Sequence, residues 1–203
     1  TQPISLMHDS PYYFLDFWFY LKTSAPTYFP LGYGLFASPA LLCPETVRGL
    51  ALTALQAGVV VALTPAIFGW LRRSFAPSWV VMPALWIALC GPVSLLMTHG
   101  LYSEFPTVAG ILGACAFASR SLAPDGRRRH AALAGLCAAI AGLARGLPLP
   151  ITLGCFALVY WPLLRPRKSL VRLLIAGTVA VTVFVAPISL IKLRQGMFAL
   201  TMA

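Results

Sequence analysis

Residues 49–71 read GLALTALQAGVVVALTPAIFGWL, a run of 23 residues without one charged side chain. As a helix this run is about 35 Å long, which is enough to cross the roughly 30 Å hydrocarbon core of a bilayer. Arg72 and Arg73 follow directly and end the run. The stretch therefore predicts a membrane-spanning helix with two arginines at its C-terminal end.

The composition of the whole chain supports a membrane protein. Of the 203 residues, 59% are hydrophobic and 10% are charged, with a mean hydropathy of +0.83, whereas a soluble domain has about 25% charged residues. The net charge of +10 does not indicate nucleic-acid binding, because the basic residues stand in short clusters between apolar runs. The five cysteines form no CxxC pair and lie in or beside apolar runs, which is typical of small buried residues.

Further apolar runs follow toward the C-terminus. They cover about Pro77–Thr98 with a kink at Gly91-Pro92, about Leu101–Ser119, the shorter runs Ala131–Ala144 and Ile151–Leu164, and about Leu173–Ile191. The two shorter runs flank Arg145 and predict either a pair of short helices joined by an irregular turn or one long span with a broken middle. The predicted fold class is all-α, a polytopic transmembrane helical bundle of about five to six spans over residues 49–203.

The loops between these runs predict the orientation, because Lys and Arg accumulate on the cytoplasmic side of a membrane. If the spans alternate, the cytoplasmic side holds 10 of the 15 basic residues: Arg72, Arg73, Arg120, Arg127, Arg128, Arg129, Arg165, Arg167, Lys168 and Arg172. The other side holds Lys22, Arg48, Arg145, Lys192 and Arg194. We therefore expect residues 1–48, the turn near residues 99–104 and the turn at Arg145 to lie on the periplasmic or lumenal face.

Residues 1–48 are predicted to form a loop on this outer face and not a span. The segment HDSPYYFLDFWFY, residues 8–20, is rich in aromatic side chains, which favour the membrane–water interface. We expect a short interfacial helix there. The next stretch, YFPLGYGLFASPALLC (residues 28–43), contains Pro30, Gly32, Gly34 and Pro39 and predicts an irregular entry followed by a juxtamembrane helix. Because the chain begins without Met and ends shortly after an apolar run, we expect it to be part of a longer membrane protein.

Three ionisable residues from separate parts of the chain are predicted to meet at the outer face. Asp9 lies in the first loop, Glu104 begins a span in LYSEFP, and Arg145 lies in LARGLP. Each also has a purely structural explanation: a helix N-cap for Asp9, a first-turn acid for Glu104 and a snorkelling anchor for Arg145. Charges at the membrane are candidate functional residues, and convergence on one face favours that interpretation.

Such a set suits a reaction on a lipid-linked substrate. A carboxylate can accept the proton of an attacking hydroxyl or amine, and an arginine can hold the phosphate of a lipid carrier as it leaves. Aromatic rings can stack on sugar faces or on the lipid. The sequence has no Ser-His-Asp pattern, no Gly-rich phosphate loop and no HExxH motif, so it does not support a hydrolase, a nucleotidase or a metalloprotease.

The order of several motifs resembles a known family. Asp9 and Tyr13 are followed by FPLGYG, a span ending in Arg-Arg, a Pro-containing span, Ser103-Glu104, an Arg-rich loop and AALAGLCAAIAGLARGLPLPI. Over nearly the whole chain this order resembles the polytopic GT-C glycosyltransferases, in particular the dolichyl-phosphate-mannose protein mannosyltransferase and aminoarabinose transferase type, with their motifs "PPLyP", "sE" and "aGlaaGLa.LtRp". Two positions depart from the family: Ser10 stands where a second acid is common, and FPL has one proline where two are typical.

The resemblance implies a role for each site residue. Asp9 is implied as the catalytic base, with Asp16 as its rival, and Arg145 is expected near the carrier phosphate. The candidate substrate-binding residues are Tyr13, Glu104, Arg145 and His8, of which His8 is also typical of a plain interfacial histidine. No metal site is predicted, because two carboxylates are too few to argue for a divalent cation, and the sequence indicates no cofactor.

The predicted function is an inverting membrane glycosyltransferase of a bacterial inner membrane or an ER-type membrane. It would transfer a sugar from a polyprenyl-phosphate-linked donor to a lipid, glycan or protein acceptor at the periplasmic or lumenal face. Its partners would be the bilayer, the donor and the acceptor, without nucleic acid. One alternative is a transporter or channel subunit, since broken helices also occur in transporters. The other is a non-catalytic scaffold subunit of a membrane assembly.

Overall fold

The computed structural model of the chain describes residues 18–23, 31–74, 104–145, 154 and 167–195. Of these residues, 93% are helical and none lies in a strand, which confirms the all-α prediction for this part of the chain. The long helices are α1 (Leu31–Leu41), α2 (Glu45–Ser74), α3 (Glu104–Leu122), α4 (Arg128–Arg145) and α5 (Arg167–Gln195). Residues 18–23 form a further short helical piece.

Three of these helices are long and apolar enough to cross a membrane, which indicates a membrane protein. The candidate spans are Thr46–Arg72 in α2, Phe105–Leu122 in α3 and Ser169–Pro187 in α5. They coincide with three predicted runs. Among the described helices, α4 is not a candidate span, because its 18 residues include arginines at both ends. The predicted helices at residues 77–98 and 151–164 lie outside the described residues.

Helices α3 and α4 form a tight antiparallel hairpin around a turn that contains Pro124, Asp125 and Gly126. The Gly126 N–H donates to the carbonyl of Ala123 at 2.8 Å, and Arg120 pairs with Asp125 at 2.9 Å. A Cβ on Gly110 would lie 2.7 Å from the carbonyl oxygen of Cys137, so the two backbones nearly touch. Small residues allow this approach, as they do between helices in membranes.

Helix α5 runs parallel to α4 and begins at the same end. The Arg172 guanidinium, near the start of α5, donates to the carbonyl of Gly126 at 2.7 Å. Further along, Gly135 packs directly against the backbone of Ala176, and Ala180 joins the buried alanine cluster that includes Ala138. The start of α5 and the α3–α4 turn therefore lie together.

Helix α2 runs parallel to α3, so the C-terminal ends of these two helices also lie together. Leu63 is next to Gly113, and one turn on, Ile67 packs with Ala116. Eight arginines of the described residues thus gather at one end of the structure, here termed the arginine end: Arg72, Arg73, Arg120, Arg127, Arg128, Arg129, Arg167 and Arg172. This is the grouping predicted from the loops, while its assignment to the cytoplasmic side stays a prediction.

The opposite end, here termed the aromatic end, consists of residues 18–23, α1, the first turn of α3 and the last turn of α4. The juxtamembrane helix predicted within residues 28–43 is present as α1, but it already begins at Leu31, so Gly32, Gly34 and Pro39 lie inside the helix. Pro39 lacks an N–H and leaves the carbonyl of Leu35 without its helical donor. The Ser38 hydroxyl donates to that carbonyl at 2.8 Å and so compensates for the proline.

Candidate functional site at the aromatic end

Helix α1 is held between the start of α2 and the end of α4. A Cβ on Gly32 would overlap the backbone of Leu143 and Ala144, so α1 lies directly on the last turn of α4. On its other face, Tyr33 and Ala37 are fully buried in a cluster with Ala40 and Leu52, the last of these from α2. The two contacts fix α1 across this end of the structure. The predicted boundary between the outer loop (residues 1–48) and the helical bundle (residues 49–203) lies three residues inside α2, which begins at Glu45.

A row of aromatic rings joins α1 to α3. The ring centroids of Tyr33 and Phe36 are 6.4 Å apart, and those of Phe36 and Phe105 are 5.6 Å apart with the rings tilted by 47°. Tilted rings at such distances are favourable because the edge of one ring meets the face of the next. Phe105 is 5% exposed. The first turn of α3 is therefore anchored on α1 by the residue that follows Glu104.

The hairpin register brings the predicted residues Glu104 and Arg145 to the same end. Gly110 of α3 faces Ala141 of α4. One helical turn beyond this contact, Arg145 ends α4 at the level of the first turn of α3, which begins at Glu104. The backbone of Glu104 is described but its side chain is not, whereas the side chain of Arg145 is exposed.

Both positions also suit the helix dipoles. An acid at the first residue of α3 and a base at the last residue of α4 are each stabilising, since the N-terminus of a helix is partially positive and the C-terminus partially negative. The structural and functional explanations of these residues are thus compatible. Chemically, an exposed guanidinium at the end of α4 can bind a phosphate group through paired hydrogen bonds.

Residues 18–23 lie at the aromatic end, near the end of α5. Trp18 and Phe19 are about half exposed, at 46% and 47%, while Tyr20 is 7% exposed. Burial raises the pKa of Tyr20, and the positive charge of Arg194 partly opposes this shift. The end of α5 therefore also lies at the aromatic end. Tyr20 is the one buried residue of this short piece, and the exposed rings of Trp18 and Phe19 suit a position at the membrane–water interface.

The other predicted site residues cannot be placed. Asp9, its rival Asp16, Tyr13 and His8 all lie outside the described residues, so their convergence with Glu104 and Arg145 stays a prediction. Among the residues that the structure describes, no group of three His, Cys, Asp or Glu side chains could hold a metal ion.

Sequence reasoning missed several contacts that build this end of the structure. The Phe36–Phe105 contact and the approach of Tyr20 to Arg194 were not predicted. The available signal was limited to the shared outer face of the aromatic loop and of Arg194. Pairing across such distances in sequence depends on how the helices pack, which periodicity alone does not reveal.

A scan against protein-family models, a search of curated proteins and a search of solved structures each found no match to the chain. The family resemblance of the motifs therefore stays a prediction.

Proposed function

We propose that the chain is a membrane glycosyltransferase that uses a polyprenyl-phosphate-linked sugar and acts at the aromatic end. One observation carries the proposal: α1 binds the start of α3, where Glu104 stands, and the end of α4, where Arg145 stands. Two ionisable residues that are 41 positions apart in sequence thus share one end of the bundle with exposed aromatic side chains. Such an end offers both charge for a phosphate and aromatic surface for a sugar or a lipid.

The proposed reaction is a single displacement at the anomeric carbon. The acceptor hydroxyl or amine attacks that carbon, and its proton passes to the carboxylate of Asp9. The bond between the anomeric carbon and the carrier phosphate oxygen breaks, and its electron pair leaves with the carrier phosphate. Arg145 stabilises the charge of the departing phosphate, and Glu104 orients the acceptor or the sugar. Attack from the face opposite the leaving group inverts the anomeric centre.

The test uses the full chain reconstituted in liposomes with radiolabelled polyprenyl-phosphate mannose. We expect the wild type to consume the donor and to release polyprenyl phosphate when cell-envelope extract supplies acceptors. Asp9→Asn should abolish turnover because the base is lost, and Arg145→Ala should raise the KM for the donor more than Arg145→Lys does.

Asp16→Asn is the matched control, since it removes the same charge seven residues further along the chain. Wild-type turnover by Asp9→Asn, together with its loss in Asp16→Asn, would move the base to Asp16. A chain that conducts a solute across the same liposomes without consuming the donor would instead support the transporter alternative.

A further inference from the structure

The arginine end concentrates positive charge from three separate parts of the chain. The α3–α4 turn supplies Arg127 and, at its edges, Arg120 and Arg128, while α2 contributes Arg72 and α5 contributes Arg172. Among the described residues, Asp125 is the one acidic residue at this end, and its carboxylate is paired with Arg120 at 2.9 Å. Arg73, Arg129, Arg167 and Lys168 belong to the same end of these helices, so nine basic residues stand against one carboxylate, an excess of eight positive charges among the described residues.

Two of the arginines hold the turn in shape, while three others point outward. Arg172 donates to the carbonyl of Gly126 at 2.7 Å, and Arg120 binds Asp125. A Cβ on Gly126 would overlap the carbonyl oxygen of Ser121, so the turn is tightly closed. On the turn and at the start of α4, the side chains that are exposed and form no ion pair with a carboxylate of the described residues are Arg127, Arg128 and Arg129. Arg72 of α2 is exposed in the same way.

The position of these arginines relative to the ends of the candidate spans indicates which anion they bind. The span in α3 ends at Leu122, the span in α2 ends at Arg72, and the span in α5 begins at Ser169. Because the turn directly follows one span and contacts the start of another, its three outward arginines stand at the level where lipid headgroups begin. A guanidinium binds a phosphate through paired hydrogen bonds, and a cluster of basic residues at this level attracts anionic lipids.

We propose that the arginine end is a binding surface for the phosphate headgroups of anionic phospholipids in the adjacent leaflet. Arg127, Arg128 and Arg129 contact the phosphates, and Arg120 and Arg172 position the turn that carries them. The surface is independent of the proposed transfer reaction, because it lies at the opposite end of the helices from Glu104 and Arg145.

The experiment measures lipid selectivity of the full chain in phosphatidylcholine membranes. Spin-labelled phosphatidylglycerol and spin-labelled phosphatidylcholine report their relative association with the protein. We expect the wild type to prefer phosphatidylglycerol. In the variant Arg127→Gln/Arg128→Gln/Arg129→Gln, the affinity of this surface for phosphatidylglycerol should fall on the order of a hundredfold. The matched control Arg48→Gln/Lys192→Gln/Arg194→Gln removes the same charge from the other end and should keep the preference.

Two results would overturn the proposal. An equal loss in both triple variants would mean that selectivity follows net charge and not this surface, and an unchanged preference in the first variant would exclude its three arginines. Soluble glycerol phosphate is added as a competitor, and displacement of the lipid at equal concentration would assign the surface to a soluble anion.

Two wild-type measurements keep the test decisive if the triple variant fails to fold. Salt at 1 M should remove the phosphatidylglycerol preference, because it reduces the screening length to about 3 Å. The NMR titration of His130 should move to higher pH when phosphatidylglycerol is added, since a phosphate near Arg127 and Arg129 offsets their repulsion of the imidazolium. A preference that persists in high salt with no change at His130 would contradict the proposal.

Discussion

The two ends of this structure are built by opposite means. At the aromatic end, α1 lies against neighbouring backbones through Gly32, and buried rings such as Phe105 join helices that are distant in sequence. At the arginine end, a five-residue turn, residues 123–127, is held by hydrogen bonds and carries exposed charge. One end therefore depends on shape and the other on polar contacts. We therefore expect the aromatic end to be destabilised by larger side chains, and the arginine end to tolerate substitutions of its exposed residues.

The largest effect is expected for Gly32→Leu at the aromatic end. The added side chain would overlap the backbone of Leu143 and Ala144, and α1 would have to move away from α4. We expect the free energy of unfolding in detergent to fall by about 3 kcal/mol, and transfer activity to be lost with it. Chemical denaturation followed by circular dichroism measures the change.

Gly58→Leu is the control for this substitution. Gly58 is exposed on α2, and a Cβ there meets no atom within 4 Å. Its stability should stay the same or rise slightly, because leucine favours a helix more than glycine does. Equal destabilisation by the two substitutions would show that α1 is not seated on α4.

The next effect concerns the polar contacts of the arginine end. Arg172→Gln removes the charged donor to the Gly126 carbonyl, a contact that is partly buried. We expect a loss of about 2 kcal/mol in the free energy of unfolding, since hydrogen bonds from charged groups contribute roughly this much. Arg128→Gln, at an exposed position, should change stability by less than about 0.5 kcal/mol in neutral detergent. Similar losses in both variants would mean that charge density, and not this contact, holds the turn.

A smaller effect isolates the aromatic contact. A double-mutant cycle with Phe36→Ala and Phe105→Ala should give a coupling energy of about 1 kcal/mol, because the tilted rings interact beyond their burial. The control cycle pairs Phe36→Ala with Phe184→Ala, whose ring packs in a different cluster on α5. The control coupling should be close to zero, and a comparable value in both cycles would indicate a general loosening of the helices.

The smallest effect is the pH dependence contributed by His130. Partial burial lowers its pKa below 6.5, Arg129, Arg120 and Arg127 lower it further, and Asp125 opposes them. Its Nδ1 also accepts the N–H of Arg127 at 3.2 Å, which requires the unprotonated nitrogen. The unfolded chain therefore binds the proton more tightly than the folded chain. The contribution to stability is complete above pH 6.5 and is lost as the pH falls through the lower folded pKa.

Unfolding midpoints measured in steps from pH 7.5 down to pH 5 test this expectation. His130→Gln should flatten the decline that the wild type shows below the ordinary histidine pKa, because it removes the group whose proton affinity changes on folding. A wild type and a variant with parallel profiles would assign the pH dependence to other groups.

The apolar runs predicted the spans well, since length and the absence of charge are sufficient to identify a helix such as α2. The distribution of arginines also predicted which loops lie at the same end of the helices, because clusters of charge are excluded from the bilayer core and stand at helix ends. The early start of α1 has a physical cause. Gly32, Gly34 and Pro39 are poor helix formers, yet packing against α4 and the Ser38 hydroxyl outweigh that propensity.

The candidate site was predictable only in part. Alternation of spans was enough to expect Glu104 and Arg145 at one end, and the hairpin register agrees. The ring contact of Phe36 with Phe105 depends on the direction in which α1 folds back, and no local pattern specifies that direction. The role of Asp9 as the base stays a prediction from the resemblance, because Asp9 lies outside the described residues.

The covered position of α4 has a consequence for how the chain enters the membrane during synthesis. With 18 residues and arginines at both ends, α4 alone would partition poorly from the translocon into lipid. Its close antiparallel contact with α3 allows the two segments to leave the translocon together as one inserted unit. Gly135 of α4 packs against the backbone of Ala176, so this part of α4 gains its partner only when the later α5 arrives.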